Sequence, residues 1–237
     1  MTHRLRAIGF STSDHEAHAD LHRALDPAGI VVAPDQAEVR LSAGPVIHFR
    51  RDNTPSRYTL GFGLHDLAGA ATRLEDDLEI PWRCTTPGVV DLADCDGNRV
   101  YLVGLTDDPG DGFPQRDQKL IAVTMFMTDV PTSARWWRAL GLSVGDQATL
   151  VGSVPPDADH ADVADVFFDG PILQLAPAGT GPTTVAHMVI GGVDLDTAAE
   201  SLAAIGWDHA REPGALTTMT PDGCGVRLTA PVVRAAE

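Results

Sequence analysis

Apolar positions recur along this chain in four similar blocks. Each block opens with a short β-type run, reaches an Asp, and passes into an apolar stripe at helical spacing. The runs are Ala7-Ile8-Gly9-Phe10 before Asp14, Thr59-Leu60-Gly61-Phe62 before Asp66, Ala122-Val123-Thr124-Met125 before Asp129, and His187-Met188-Val189-Ile190 before Asp194. Each is about one strand long. The stripes are Ala17, Leu21 and Leu25; Leu67, Ala71, Leu74 and Leu78; Ala134, Trp137 and Leu140; and Leu195, Ala198, Leu202 and Ile205. Steps of three and four place such side chains on one helical face. Each Asp, or a polar residue just after it, is placed to cap the helix that follows. Gly29, Gly141 and Gly206 stand where the first, third and fourth helices should stop.

Every block closes with a turn and a last strand. Asp94-Cys95-Asp96-Gly97-Asn98 precedes Arg99-Val100-Tyr101-Leu102, and Thr220-Pro221-Asp222-Gly223 precedes Gly225-Val226-Arg227-Leu228. Both turns carry Asp-Gly, a strong hairpin signal. Ala43-Gly44 and Asp169-Gly170 play the same part before Val46-Ile47-His48-Phe49 and Ile172-Leu173-Gln174-Leu175. The middle of each block fits two further short strands, such as 38–41 or 165–168. The unit therefore reads strand–helix–strand–strand–strand. The polar, turn-rich stretch 104–118 divides the chain into two halves of two units each.

Composition narrows the classes of function. The chain has 237 residues, 43% hydrophobic and 21% charged, enough for a substantial core. Acidic residues outnumber basic ones 33 to 17, for a formal net charge of -16. Such a surface repels phosphate backbones and anionic membranes, so neither nucleic acid nor membrane is an expected partner. No apolar run is long enough to span a bilayer, and the first residues lack the apolar core of a secretory signal. Three cysteines without CxxC spacing argue against a disulfide framework or a zinc ribbon. A cytoplasmic location is expected. There is no GxGxxG, P-loop or GxSxG motif.

The paired modules with an Asp-Gly-Asn turn before the last strand resemble the vicinal oxygen chelate superfamily, which includes glyoxalase I, bleomycin-resistance proteins and extradiol dioxygenases. Residues 130–141, Val-Pro-Thr-Ser-Ala-Arg-Trp-Trp-Arg-Ala-Leu-Gly, resemble its first helix, and residues 94–102 its last-strand signature, with Cys95 where Pro is common. The resemblance implies an α+β fold. Two tandem domains are expected, each a pair of βαβββ modules forming a curved mixed sheet around a cup. The N-terminal domain should span 1–105 (modules 1–52 and 56–105), the linker 106–117, and the C-terminal domain 118–232 (modules 118–178 and 183–232). It also places metal ligands on the first and last strands of each module. Those positions here are Ala7, Thr59, Ala122 and His187, then His48, Tyr101, Gln174 and Arg227. Too few are imidazole, carboxylate or thiolate, and Arg227 is a fixed cation, so no metal and no other cofactor is expected.

Strand alternation directs a set of small and polar residues into the cups. His187, Arg227, His48 and Tyr101 are the candidate catalytic residues. Gln174, Thr124, Phe126, Thr229, Arg99, Thr59 and Arg50 are candidate ligand contacts. The C-terminal cup is favoured, because His187, Gln174 and Arg227 should converge there from three strands. Arg227 there calls for an anionic partner, either a ligand oxygen or an acidic residue of the middle strands such as Asp162 or Asp165. The expected function is glyoxalase-like or bleomycin-resistance-like binding of an oxygenated aromatic or natural-product molecule in a metal-free cup. One alternative is a metal-independent lyase, isomerase or cyclase using His, Tyr and Arg. A metal-dependent lyase or dioxygenase with ligands off the pattern ranks third. The expected partner is a small molecule, and a homodimer is the candidate assembly.

Overall fold

A computed structural model describes residues 4–26, 29–41, 44–51, 58–78, 83–86, 88–104, 118–145, 163–167, 170–178 and 187–231. The expected linker residues 106–117 and Asp162 lie outside the described residues. The first module is β1 (Arg4–Thr12), α1 (His15–Leu25), β2 (Ile30–Ala33), β3 (Gln36–Arg40) and β4 (Val46–Arg51). The second is β5 (Tyr58–Leu64), α2 (Leu67–Leu78), β6 (Arg83–Thr86), β7 (Val89–Ala93) and β8 (Arg99–Gly104). The third is β9 (Lys119–Met127), α3 (Val130–Ala139), β10 (Ser143–Gly145), β11 (Ala164–Phe167) and β12 (Ile172–Pro177). The fourth is β13 (His187–Gly191), α4 (Leu195–Ala204), β14 (His209–Glu212), β15 (Ala215–Met219) and β16 (Gly225–Thr229).

Two mixed eight-stranded sheets result, ordered β2-β3-β4-β1-β5-β8-β7-β6 and β10-β11-β12-β9-β13-β16-β15-β14. In each, the first strands of two modules pair antiparallel at the centre, and each lies parallel to its own module's last strand. The modules therefore pair within one chain. One extra residue bulges the first strand of each half, Arg6 in β1 and Ile121 in β9. Such bulges raise the local twist and bend the strand.

The four aspartates cap the helices. Side-chain oxygens of Asp14, Asp66, Asp129 and Asp194 accept from the backbone N–H groups of Ala17, Gly69, Thr132 and Thr197. Gly141 and Gly206 take the left-handed backbone expected after a helix, with φ of 87° and 75°. Gly29 does not. Helix α1 stops earlier, at Asp26, whose N–H donates to the His22 carbonyl. The turn before β8 is built by Asp94, which accepts from the Asn98 backbone and side-chain amides at 2.7 and 2.9 Å, while Gly97 supplies a φ of 79°. Thr220 does the same for β16 by accepting from Cys224 N–H at 2.8 Å.

The outward sheet faces and the helices enclose the core. Ile8, Phe10, Ile47, Phe49, Leu60, Phe62, Val100 and Leu102 form its N-terminal half, with Val123, Met125, Leu173, Leu175, Met188, Ile190 and Leu228 in the other. On α3 the stripe is as expected, and Trp136 joins Trp137 in full burial, their rings edge-on at 4.7 Å. Two stripes differ. Ile205 is 41% exposed, because it falls just past α4 at the C-cap. Helix α1 buries His15, His18, Ala19, Leu21 and His22, whereas Ala17 and Leu25 are only partly covered. This helix turns its histidine face toward the second half of the chain, where His18 meets Asp222.

Candidate functional site

Strand register decides which inward side chains meet. Across the C-terminal sheet, Asp165, Gln174, Thr124, His187 and Gly225 lie opposite one another in one continuous row through five strands. Asp165, Gln174 and Thr124 are fully buried. They form a hydrogen-bonded chain: the Gln174 side-chain amide donates to the Asp165 carboxylate at 3.0 Å, and the Thr124 hydroxyl donates to the Gln174 amide oxygen at 3.1 Å. Satisfied buried polar groups of this kind hold one another in fixed orientations.

His187 continues the row. The ring lies directly over Gly225: a Cβ added there would stand 2.6 Å from the His187 Cε1 atom, so a larger residue would push the ring aside. Phe126 meets the ring edge-on at 5.9 Å and packs with Val163 and Ala176 into a small apolar patch on the inner side. Burial pushes the His187 pKa down, which leaves the ring neutral near pH 7, with one donor and one acceptor nitrogen.

One row away lie Ile172, Ala122, Val189, Arg227 and Thr217. Arg227 has an acidic partner on a middle strand, Glu212 of the fourth module, in place of the Asp165 named from the sequence. Its guanidinium donates to Glu212 of β14 at 2.6 Å, and Asp165 accepts from the Gln174 amide at 3.0 Å. The sequence list of inward residues omitted the edge strand that supplies Glu212. Thr229 lies further along β16, with Oγ1 3.4 Å from where a Cβ on Gly191 would sit.

The N-terminal cup is arranged differently. His48 of β4 lies opposite Glu38 of β3, with Nδ1 3.9 Å from its carboxylate, and Arg40 donates to the same Glu38. Burial pushes the His48 pKa down; Glu38 opposes this, and Arg50 and Arg40 add to it. Arg99 grips Asp91 through two nitrogens, at 3.1 and 2.6 Å, and stacks over the Tyr101 ring at 4.6 Å. Thr59 covers Gly9, where an added Cβ would come within 3.1 Å of its own. Arg50 is exposed on β4. Thus His48, Glu38 and Arg40 form one group, while Tyr101, Arg99 and Asp91 form another. Glu212, Asp91 and Glu38 were the partners absent from the sequence-based sites, and Asp165 entered them only as an expected partner of Arg227. All four lie on middle or edge strands, and period-two alternation there was the available signal.

Metal binding can be tested on the donors. The four ligand positions of the C-terminal cup hold Ala122, His187, Gln174 and Arg227, so one strong donor faces a methyl, an amide and a salt-bridged cation. The N-terminal cup offers His48 and Tyr101 beside Ala7 and Thr59. Among the described residues, no group of three or more His, Cys, Asp or Glu side chains is disposed to hold an ion. These residues do not fit an iron, manganese or zinc centre, which takes three or more such donors.

Neither a family model nor a curated protein matches this sequence. Solved structures do. A catechol 2,3-dioxygenase superposes with a TM-score of 0.66 at 19% identity, covering 99% of this chain and 91% of its own. The 2,2',3-trihydroxybiphenyl 1,2-dioxygenase of Sphingomonas wittichii strain RW1 gives 0.67 at 17% identity, covering 97% and 91%. A Mn(II)-bound glyoxalase from Novosphingobium aromaticivorans gives 0.65 at 15% identity, covering 97% and 82%. Among the described residues, no helix is long and apolar enough to cross a membrane. At these identities the likeness shows the fold alone: the chain shares the α+β architecture of paired βαβββ modules with these dioxygenases and the glyoxalase.

Proposed function

We propose that this protein binds an oxygenated aromatic small molecule in its C-terminal cup, without a metal such as the Mn(II) bound by its glyoxalase neighbour. The observation that carries the reading is the row Asp165–Gln174–Thr124–His187. Three of its members are fully buried and hydrogen-bonded, and it ends in a neutral imidazole beside an aromatic ring. An inner apolar patch of Phe126, Ala176 and Val163 beside a few polar groups matches the mixed lining general to small-molecule sites. Phe126 offers an aromatic ligand an edge or a face. Thr229 and Arg227 lie toward the rim of the same face.

In this reading His187 is the principal hydrogen-bonding contact, and the fully buried Thr124 and Gln174 lie beside it in the same row without touching the ligand. Titration with catechol on a calorimeter tests it. One molecule should bind per chain, and His187→Ala should weaken binding by about five- to tenfold, the scale of one hydrogen bond. Adding Fe(II) or Mn(II) should produce no ring-cleavage product. Ring cleavage on metal addition, or loss of binding in His48→Ala but not in His187→Ala, overturns the proposal.

The neutral state of His187 favours one second reading, a metal-independent lyase, isomerase or cyclase in which this ring takes a proton from the ligand. Arg227 is a weaker candidate for holding an oxyanion there, since Glu212 already occupies its guanidinium. His48, Tyr101, Arg99, Thr59 and Arg50 would serve only if the N-terminal cup were the working one.

A further inference from the structure

We propose that the N-terminal cup is a second ligand site, open at the positions where the C-terminal cup is closed, and that it takes a small organic carboxylate at Arg50. The inference is independent of the reading given for the C-terminal cup.

Equivalent positions of the two sheets are built in opposite ways. Asp165, Gln174 and Thr124 of one half correspond by strand register to Glu38, His48 and Gly9 of the other. The first three are fully buried and present no surface to a ligand. Glu38, His48 and Gly9 are all partly exposed. The neighbouring row repeats the contrast. Ala122 and Val189 are buried, whereas their counterparts Ala7 and Gly61 are reached by solvent. Gly9 and Gly61 add no side chain and Ala7 only a methyl, so the floor stays low between longer side chains on either side. A concave surface with a small-residue floor and a few polar groups suits a small molecule.

Charge identifies the occupant. The register brings Arg4, Arg40, Arg50 and Arg99 onto this inner face, together with Glu38 and Asp91. Guanidinium groups thus outnumber carboxylates here, although the chain as a whole carries a net charge of -16. Arg40 pairs with Glu38, and Arg99 with Asp91. Among the described residues, no carboxylate lies within ion-pair distance of Arg50. Arg50 stands opposite Gln36 on one side and Ser11 on the other, and His48 is two residues before it on the same face. Burial pushes the His48 pKa down; Glu38 opposes this, and the charge of Arg50 is near enough to add to it. The neutral ring keeps one N–H, and Gln36 and Ser11 carry donors of their own. A guanidinium among uncharged donors is an arrangement that recognises a carboxylate. Glu38 and Asp91 oppose further negative charge, so the cup suits a monoanion.

Benzoate and benzamide have nearly the same size and shape and differ in charge, and calorimetry on the full chain at low salt separates them. Benzoate should bind at least about fivefold more tightly than benzamide. Raising the salt should weaken benzoate and leave benzamide unchanged, because the charge is solvent-screened. Arg50→Gln should bring benzoate down to the affinity of benzamide, whereas Arg50→Lys, which keeps the charge, should retain a preference. Arg50 is exposed, so both variants should keep the native circular dichroism spectrum. Saturating catechol should leave benzoate binding intact. No benzoate binding, equal binding of the two probes, or the full preference in Arg50→Gln overturns this inference and leaves the C-terminal reading standing. Displacement of benzoate by catechol places both in one cup and overturns the second site. Tighter binding of inorganic phosphate than of benzoate overturns the carboxylate class.

Discussion

His22 shows what a single residue does to the acid stability of this protein. Its ring is buried, and among the described residues neither nitrogen has a hydrogen-bond partner. Burial, helped by the charge of His18, pushes its pKa from 6.5 to about 3. The unfolded chain therefore takes up this proton first. The sign follows by linkage: the stability contribution is complete above pH 6.5 and is lost as pH falls toward about 3. The urea midpoint should decline between neutral pH and about pH 5 in the native protein, and the decline should be shallower in His22→Leu. Equal slopes in both proteins would remove His22 as its source. Gly225 is the counterpart in the cup. Gly225→Ala must displace the His187 ring, since its Cβ would stand 2.6 Å from Cε1. Catechol affinity should fall while the thermal midpoint changes little. Unchanged affinity would mean that the ring's position is irrelevant to binding.

Helix α3 carries the clearest element-level argument. Its N-terminus is capped by Asp129 with Pro131 in the first turn, where a missing N–H costs nothing. Trp137 then reaches across to Phe62 of β5, ring centroids 5.2 Å apart, so one helix of the second half packs against the first. Trp137→Ala should destabilise the protein by about 3–5 kcal/mol in denaturant titration, as for other fully buried large-to-alanine changes. Catechol affinity of the folded fraction should be unchanged, because this ring lies on the side of the sheet away from the cup. A stability loss near zero would contradict its burial. The α3 stripe was legible because tryptophan and leucine at helical spacing admit one reading. The α1 stripe was not: three histidines at positions 15, 18 and 22 look like a solvated face until their partner is known.

At the scale of the whole molecule, two related turns are among the contacts that join the two halves. Asp222, in the turn before β16, accepts from the Thr12 hydroxyl at the end of β1 and meets His18 Nε2 at 3.1 Å, while Thr220 donates to it from its own turn. The corresponding turn before β8 places Asp96 to accept from Thr128 N–H at 3.2 Å, and Cys95 beside the Ser133 hydroxyl at 3.1 Å. Arg73 of α2 adds a bond to the Ala139 carbonyl at 3.1 Å. Burial raises the Asp222 pKa, but the bonds from His18, Thr12 and Thr220 outweigh it and hold the carboxyl well below its usual range. Asp222→Ala leaves buried donors from the other half unpaired, a cost of about 1–3 kcal/mol. Calorimetry should show the single unfolding transition broadening or splitting into two. A sharp transition at the native temperature would mean that this contact does not couple the halves.

Four features of the chain were fixed by local chemistry and could be read along it. The fourfold repeat, the aspartate caps, the Asp-Gly turns and the alternation of each first and last strand all depend on neighbours a few residues away. So did the inward placement of His187, Gln174, Thr124 and Arg227, because a strand's period of two leaves a choice between only two faces. Partnership was different. That Gln174 would be held by Asp165, that Arg227 would be claimed by Glu212, and that Asp222 would reach His18 from 204 positions away depends on which strands and helices come to lie side by side. Spacing along a chain determines the direction of a side chain, whereas a hydrogen bond or ion pair needs two groups within about 3 Å. Only the packed fold sets that distance, and with it the charge and polarity of the cup.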